Sequence, residues 1–147
     1  MTELSPTQPE ASTQPIKFTV THYRLPQHTH EEFLNWIISV RLPAALPVFK
    51  KHGVLRYALF TTPSTLNLPL AQYLQKGRPT WGFADYDCVI EYTLPSVQSI
   101  AEIMSDPDWQ EAIKDQEDWV DVSRALVSVG FYTPYLVEGG KFVNLGK

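Results

Sequence analysis

The chain has 147 residues, of which 44% are hydrophobic and 19% charged, with 12 basic and 16 acidic side chains and a net charge of -4. That length suits one domain, and the composition excludes an intrinsically disordered chain as well as a continuous coiled coil, which the 12 prolines would interrupt. The slight acidity offers no docking surface for nucleic acid or for an acidic membrane.

Residues 1–15 carry Pro6, Pro9 and Pro15 among Ser, Thr, Gln and Glu. They read as a disordered N-terminal arm, because such a composition buries too little apolar surface to offset ordering. The arm has neither the basic nor the apolar region of a secretion signal, and nowhere do 18 apolar residues run together, so no membrane span and a reducing, cytoplasmic setting are expected. A single domain is expected over residues 16–147. Residues 17–23 alternate as a first strand, with Phe18, Val20 and His22 on one side, and Pro26 ends the run.

Thr29 and Glu32 have the spacing of a capping box, and Phe33, Trp36, Ile37, Val40 and Ala44 follow at helical intervals, so a helix should start near His30. Pro43 and Pro47 are expected to kink or break it, and Gly53 to close it. Residues 54–60 read as a second strand. Residues 61–86 lack clear periodicity yet contain Leu66, Leu68, Leu70, Tyr73, Trp81 and Phe83. So long a connection suggests a lid over a binding site, with a short helix near residues 70–75.

A third strand is expected over residues 87–93, with Asp87, Val89 and Glu91 on one side and Cys88, Ile90 and Tyr92 on the other. Cys88, the lone cysteine, reads as a small buried hydrophobe. Ser96 caps a second helical region reaching Met104, and Pro107 opens a further helix whose inner face would include Trp109, Ala112, Ile113 and Trp119. Residues 126–132 give a fourth strand, and the tail reads as a surface strand or loop. The order strand, helix, strand, strand, helix, strand predicts an α+β, ferredoxin-like βαββαβ sandwich with both helical regions on one face of an antiparallel sheet. The open face predicts a homodimer, and a ligand would lie between sheet and helices, roofed by the lid.

No phosphate-cradling Gly-rich loop, paired-Cys motif, His-Glu-x-x-His or Gly-x-Ser-x-Gly is present, so no cofactor is expected. His28 and His30 stand beside Glu31 and Glu32 but point to different sides of a helix start, so no metal site is expected either. His22 is a candidate acid-base group able to titrate near neutral pH, or a hydrogen-bonded histidine at a sheet edge. Asp87 and Glu91 would project to one side of the third strand, paired or raised in pKa if facing the helices, ordinary charges if facing solvent. Arg41, at the margin of the first helix's apolar stripe, pairs with one of them or holds a substrate carboxylate or enolate. Tyr57 offers a phenolic donor, and Phe33, Trp36, Trp81, Phe83 and Trp109 offer flat walls for an aromatic guest.

The stretches His22-Tyr23-Arg24-Leu25-Pro26, Thr29-His30-Glu31-Glu32-Phe33 and Arg41-Leu42-Pro43 resemble the signature of the EthD family, as do residues 83–91, Asp106-Pro107 and residues 118–121. The likeness spans roughly residues 16–132 and is nearest to small fungal decarboxylases and dehydratases of aromatic polyketides. The resemblance implies a dimeric α+β barrel and a cofactor-independent lyase that removes water or carbon dioxide from a polyhydroxylated aromatic polyketide in pigment or secondary-metabolite biosynthesis. Where the family signature usually has histidine this chain has Arg41, which shifts proton transfer to His22. Arg41 and Tyr57 would then hold the oxyanion, with Asp87 or Glu91 orienting one of the catalytic groups. A non-catalytic polyketide-binding protein and a cofactor-free monooxygenase are the alternative readings on the same scaffold.

Overall fold

The computed structural model describes residues 14–146. Most of the proposed N-terminal arm, residues 1–13, therefore lies outside the described residues. Four antiparallel strands, β1 (Ile16–His22), β2 (Arg56–Thr61), β3 (Cys88–Leu94) and β4 (Leu126–Gly130), form one sheet in the order β2-β3-β1-β4. That order, with helices joining β1 to β2 and β3 to β4, is the ferredoxin-like α+β arrangement. A short hairpin of β5 (Leu136–Val137) and β6 (Lys141–Phe142) follows.

The alternation along each strand decides which residues meet the helices. Across the register Tyr57, Tyr92, Phe18 and Val129 share one face, as do Leu59, Ile90, Val20 and Val127. This inner face builds the main core with Ala45, Phe49, Ile103 and Ala112 from the helices. Among the described residues the outer face carries no helix and is mixed: Phe60, Val89 and Leu126 lie at one end, while Lys17, Glu91 and Arg56 lie toward the other.

The first helical region shows how local chemistry and packing combine. Thr29 caps α1 (His30–Trp36): its side chain accepts from the Glu32 amide, and the Glu32 carboxylate accepts from the Thr29 amide. The chain then makes one wider turn over Ile37–Arg41, in which the Leu42 amide donates to the Ile37 carbonyl five residues back, before α2 (Leu42–Lys51) resumes. Pro43 falls in the first turn of α2, where a missing N–H does least harm, and Pro47 is carried inside it, so the expected break does not occur. The wide turn inserts an extra residue per revolution and rotates the apolar stripe. Phe33, Ile37, Arg41, Ala45 and Phe49 therefore face inward, while Val40, expected in the core, is 51% exposed.

The helical run His30–Lys51 is long and apolar enough, by length and composition alone, to cross a membrane. In this fold its inward residues are buried, as in a core helix. After Lys51, Gly53 adopts φ +74°, a value that suits glycine, and the chain turns into β2. A polar clamp fastens the two helical regions. Asp106, before α5 (Pro107–Ala112), accepts from His52 Nε2 and Lys51 Nζ, each at 2.7 Å, and from the Asp108 amide at 2.8 Å.

The connection from β2 to β3 differs from expectation. It contains α3 (Asn67–Gly77), longer than the helix anticipated, and none of its residues is buried. Leu66, Leu68, Tyr73 and Trp81 are each more than three-fifths exposed. The segment thus stands off the body of its own chain and does not roof the space between sheet and helices.

Two substitutions separate local from tertiary terms. Thr29→Ala removes the reciprocal cap and should lower unfolding free energy by about 1 kcal/mol. Phe33→Ala empties a fully buried site and should cost about 3–5 kcal/mol, read as the shift of the urea midpoint at constant slope.

Candidate functional site

Between the inner face of the sheet and α4 (Gln98–Met104) and α5 lies a cavity of about 210 Å³. The strands contribute Phe18, Val20, Ile90, Tyr92, Leu94 and Val127. The helices and the turns after them contribute Ile103, Met104, Trp109, Gln116, Val120 and Val122. Its polar groups are few: His22 at the end of β1, Arg41 at the end of the wide turn, Tyr92, Gln116 and the indole of Trp109. Met104, Val122 and Val127 are about half exposed or more, so the mouth opens between α4, the turn before β4, and β4 itself.

His22 and Arg41 come from different elements yet meet inside this space, with Nη1 3.4 Å from Nε2; the two residues are 3% and 5% exposed. A guanidinium only donates, so the imidazole accepts at Nε2 and carries its proton on Nδ1. Burial and the neighbouring Arg41 charge together lower the His22 pKa to about 3. The expectation of an imidazole titrating near neutrality is therefore overturned: a cation cannot easily form in an apolar site beside another cation. Burial also pushes Tyr92 up to about 12. Neither group is an effective base at neutral pH, and both are hydrogen-bond donors there.

The two carboxylates lie elsewhere. Glu91 follows the period of the strand onto the outer face, where it pairs with Lys17 at 3.2 Å. Asp87 precedes β3 and is 3% exposed. Its carboxylate accepts from Arg24 Nη1 at 2.6 Å, from the Arg24 amide at 2.9 Å and from His30 Nδ1 at 2.7 Å. Burial acts to raise the Asp87 carboxyl, but the hydrogen bonds from His30 and Arg24 outweigh it and hold the group below its ordinary value. Asp87 is tied to His22 only through the backbone, its amide donating to the His22 carbonyl at 2.9 Å. Arg41 pairs with neither carboxylate.

The other anticipated residues divide. Trp109 lines the cavity. Phe33 and Trp36 belong to a second core cluster with Ile37, Cys88 and Val120, and Trp36 stacks on Trp119 with ring centroids 5.3 Å apart, so neither reaches the cavity. Trp81 and Phe83 are carried outward on the β2–β3 connection, 63% and 40% exposed. Tyr57 packs between Phe49 and Tyr92, at 5.0 and 5.1 Å, and burial raises its pKa. Tyr92, one strand nearer β1, takes the lining position instead. Its place was implied by the alternation with Cys88 and Ile90, whereas Gln116, in an irregular turn, left no periodic signal. Among the described residues no group of three or more metal-ligating side chains converges.

The depressed His22 pKa has a measurable consequence. Between pH 6.5 and about pH 3 the unfolded chain binds a proton that the folded chain refuses, so stability falls as pH drops through this window. The slope from this one group is at most about 1.4 kcal/mol per pH unit. Urea unfolding of His22→Gln should show a correspondingly shallower loss between pH 6 and 4, and parallel curves for variant and wild type would contradict the assignment.

Comparison with known proteins bears on the whole domain. A family model described as the EthD domain matches residues 25–123. A curated relative, Dehydratase iacD of Pestalotiopsis fici, is 31% identical over 84% of this chain and 90% of its own. Decarboxylase AgnL1 of Paecilomyces divaricatus is 26% identical over 97% and 95%. Among solved structures, a dimeric protein of ferredoxin-like fold from Bacteroides fragilis superposes with a TM-score of 0.54 at 9% identity, covering 80% of this chain and 96% of that one. The matched span runs from the turn after β1, through α1, Arg41 and β3, to the segment beside the mouth of the cavity, and the chain belongs to the EthD family.

Proposed function

We propose that this protein is a cofactor-independent lyase that removes water or carbon dioxide from a hydroxylated aromatic polyketide, with the reacting ring in the cavity between sheet and helices. The single observation that carries this reading is the placing of Arg41 against His22 in an otherwise apolar chamber, within a family whose curated relatives include a dehydratase and a decarboxylase.

Both eliminations pass through an enolate-like species. In decarboxylation the bond to the carboxyl carbon breaks, carbon dioxide leaves, and the electron pair moves onto the neighbouring carbonyl oxygen. In dehydration the α proton passes to solvent water at the mouth of the cavity, the electron pair moves onto the carbonyl oxygen, and collapse of the enolate expels the β hydroxide, which takes up a proton and leaves as water, with conjugation of the product supplying the driving force. Either way negative charge grows on an oxygen, and fixed donors in a dry site stabilise it far more than water would. Arg41 supplies the positive charge beside that oxygen, and the His22 ring, engaged by Arg41 at Nε2, keeps its Nδ1–H for a different acceptor on the guest. His22 acts as a neutral hydrogen-bond donor that keeps its proton, and the proton that completes the product comes from solvent water at the mouth of the cavity. The apolar walls and Tyr92 hold the ring, and Tyr57, Asp87 and Glu91 take no direct part.

We also assign the protein to a soluble, cytoplasmic homodimer whose outer sheet faces meet. The helix-free face, and a solved relative of the same fold described as dimeric, support this.

Purified enzyme incubated with a hydroxylated polyketide should yield a product lighter by water or by carbon dioxide, equally under air and without oxygen. His22→Ala should lower kcat by about 10²–10³-fold. Undiminished turnover would remove His22 from the mechanism. A requirement for oxygen would identify a monooxygenase, and tight product binding without turnover a carrier.

A further inference from the structure

Two apolar features lie at opposite edges of the sheet. On the β2 side, the connection to β3 is fastened at its root by Thr62, whose hydroxyl donates to the Tyr86 carbonyl at 2.8 Å. Beyond that root Leu66, Leu70 and Tyr73, four and three residues apart, fall on one side of α3 and the turn before it, each about half exposed or more. On the β4 side, Val127 frames the mouth of the cavity with Met104 and Val122, and Val129 beyond it is half exposed as well. Within one chain the two features do not meet, because the connection leaves the sheet at β2 and returns at β3, with β1 between them and β4.

Two sheets packed through their outer faces with strands aligned are related by a two-fold axis that runs either across the strands or along them. An axis across the strands would lay the apolar end of one face, with Phe60, Val89 and Leu126, on the charged end of the other, with Lys17, Glu91 and Arg56. An axis along them keeps apolar on apolar and sets β3, which bears Glu91, opposite the strand that carries the partner's Lys17. It also sets β2 of each copy against β4 of the other. Each of these strands has one neighbour among the described residues, so both free edges gain a second. The levels agree too. Phe60, Val89, Thr21 and Leu126 form one row across the sheet, so the root of the connection, just past Phe60, lies at the height of Leu126, where β4 leaves the mouth of the cavity.

We propose that the β2–β3 connection of each copy supplies the missing wall at the mouth of the other copy's cavity, so that the chamber is complete only in the homodimer. Packed sheets lie about 10 Å apart. The helix α3 alone, with 11 residues, spans about 16 Å, enough to climb from the partner's sheet past the β4 edge to Met104 and Val122. Leu66, Leu70 and Tyr73 then bury against Val127 and Val129, and the covering that this segment does not give its own chain is given to the other. The inference rests on the proposed homodimer and on the reading of this cavity as the substrate site; what it adds is which chain walls that site.

Linkage between chains tests the docking without reference to turnover. Tyr73→Cys and Val122→Cys proteins are mixed, left to exchange subunits and treated with a short bismaleimide, while Cys88, fully buried, is left in place. Mass analysis of peptides should find the two substituted positions joined in a product of two chains. Linkage only within a chain that carries both substitutions, no linkage at all, or a wild type that sediments as a monomer would each overturn the proposal.

Mixing two impaired variants tests the consequence. A chain carrying both Leu70→Ser and Tyr73→Ser keeps the cavity's own lining but should lose at least about tenfold in kcat/KM on a hydroxylated polyketide. Mixed in equal amounts with His22→Ala, it should recover to about a quarter of the wild-type activity, because about half of the dimers are then hybrids and each hybrid has one intact site walled by an intact connection. Undiminished turnover in the doubly substituted chain would overturn the proposal, as would the absence of recovery on mixing, which would place the wall in the same chain as the site. A wild type that gives the linked product but turns over no polyketide would remove the lyase and leave the shared wall standing.

Discussion

A guanidinium held largely among carbon atoms, its side-chain hydrogen-bond contact among the described residues being an imidazole, is the constraint around which this molecule is arranged. Arg41 reaches that position because the helical run bearing it widens for one turn over Ile37–Arg41, which moves Val40 outward and Arg41 inward. Burying a charge without a counterion opposes folding, so the surrounding structure must hold it against that tendency. The core does so from both sides. Ala45 and Phe49 continue the same inward stripe onto Ile90 and Tyr92, while Phe33 and Ile37 anchor the preceding turn against Cys88 and Val120.

The distribution of acids reinforces the point. Among the described residues two carboxylates are buried, those of Asp87 and Asp106, and each is engaged away from the cavity. Asp87 is held by Arg24 and His30 at the end of β1, and Asp106 by Lys51 and His52 where α2 meets α5. Both pairings keep the acids ionised and fasten helices to neighbouring segments. Among the described residues neither acid lines the chamber, whose lining includes the Arg41 cation. Burial and the neighbouring Arg41 charge keep the His22 imidazole neutral.

Some of the exposed apolar surface bears on assembly. α3 buries none of its residues against its own chain, and an isolated helix of 11 residues is marginal in water. The hairpin of β5 and β6 is likewise exposed, and two strands alone are marginal. Both segments gain from a covering surface, which accords with the homodimer proposed above.

The element order, the capping box at Thr29, the inward set Phe18, Val20 and His22, and the ferredoxin-like topology were legible in the amino-acid sequence. Each is written in residues close to one another along the chain: a period of two, a period near 3.6, a cap three residues from its partner. The chain alone likewise marked Arg41 and His22 as unusual, through their place beside apolar stripes and through likeness to a family. What it left undetermined was which of the many aromatic residues would share a space. Phe33 and Trp36 were claimed by a second core cluster, Trp81 and Phe83 by an outward arm, and Trp109 and Tyr92 by the chamber. Those assignments follow from the packing of α1 against Cys88 and Val120, from the outward course of the β2–β3 connection, and from the docking of α4 and α5. All three are decided by packing between distant segments, which no local period encodes.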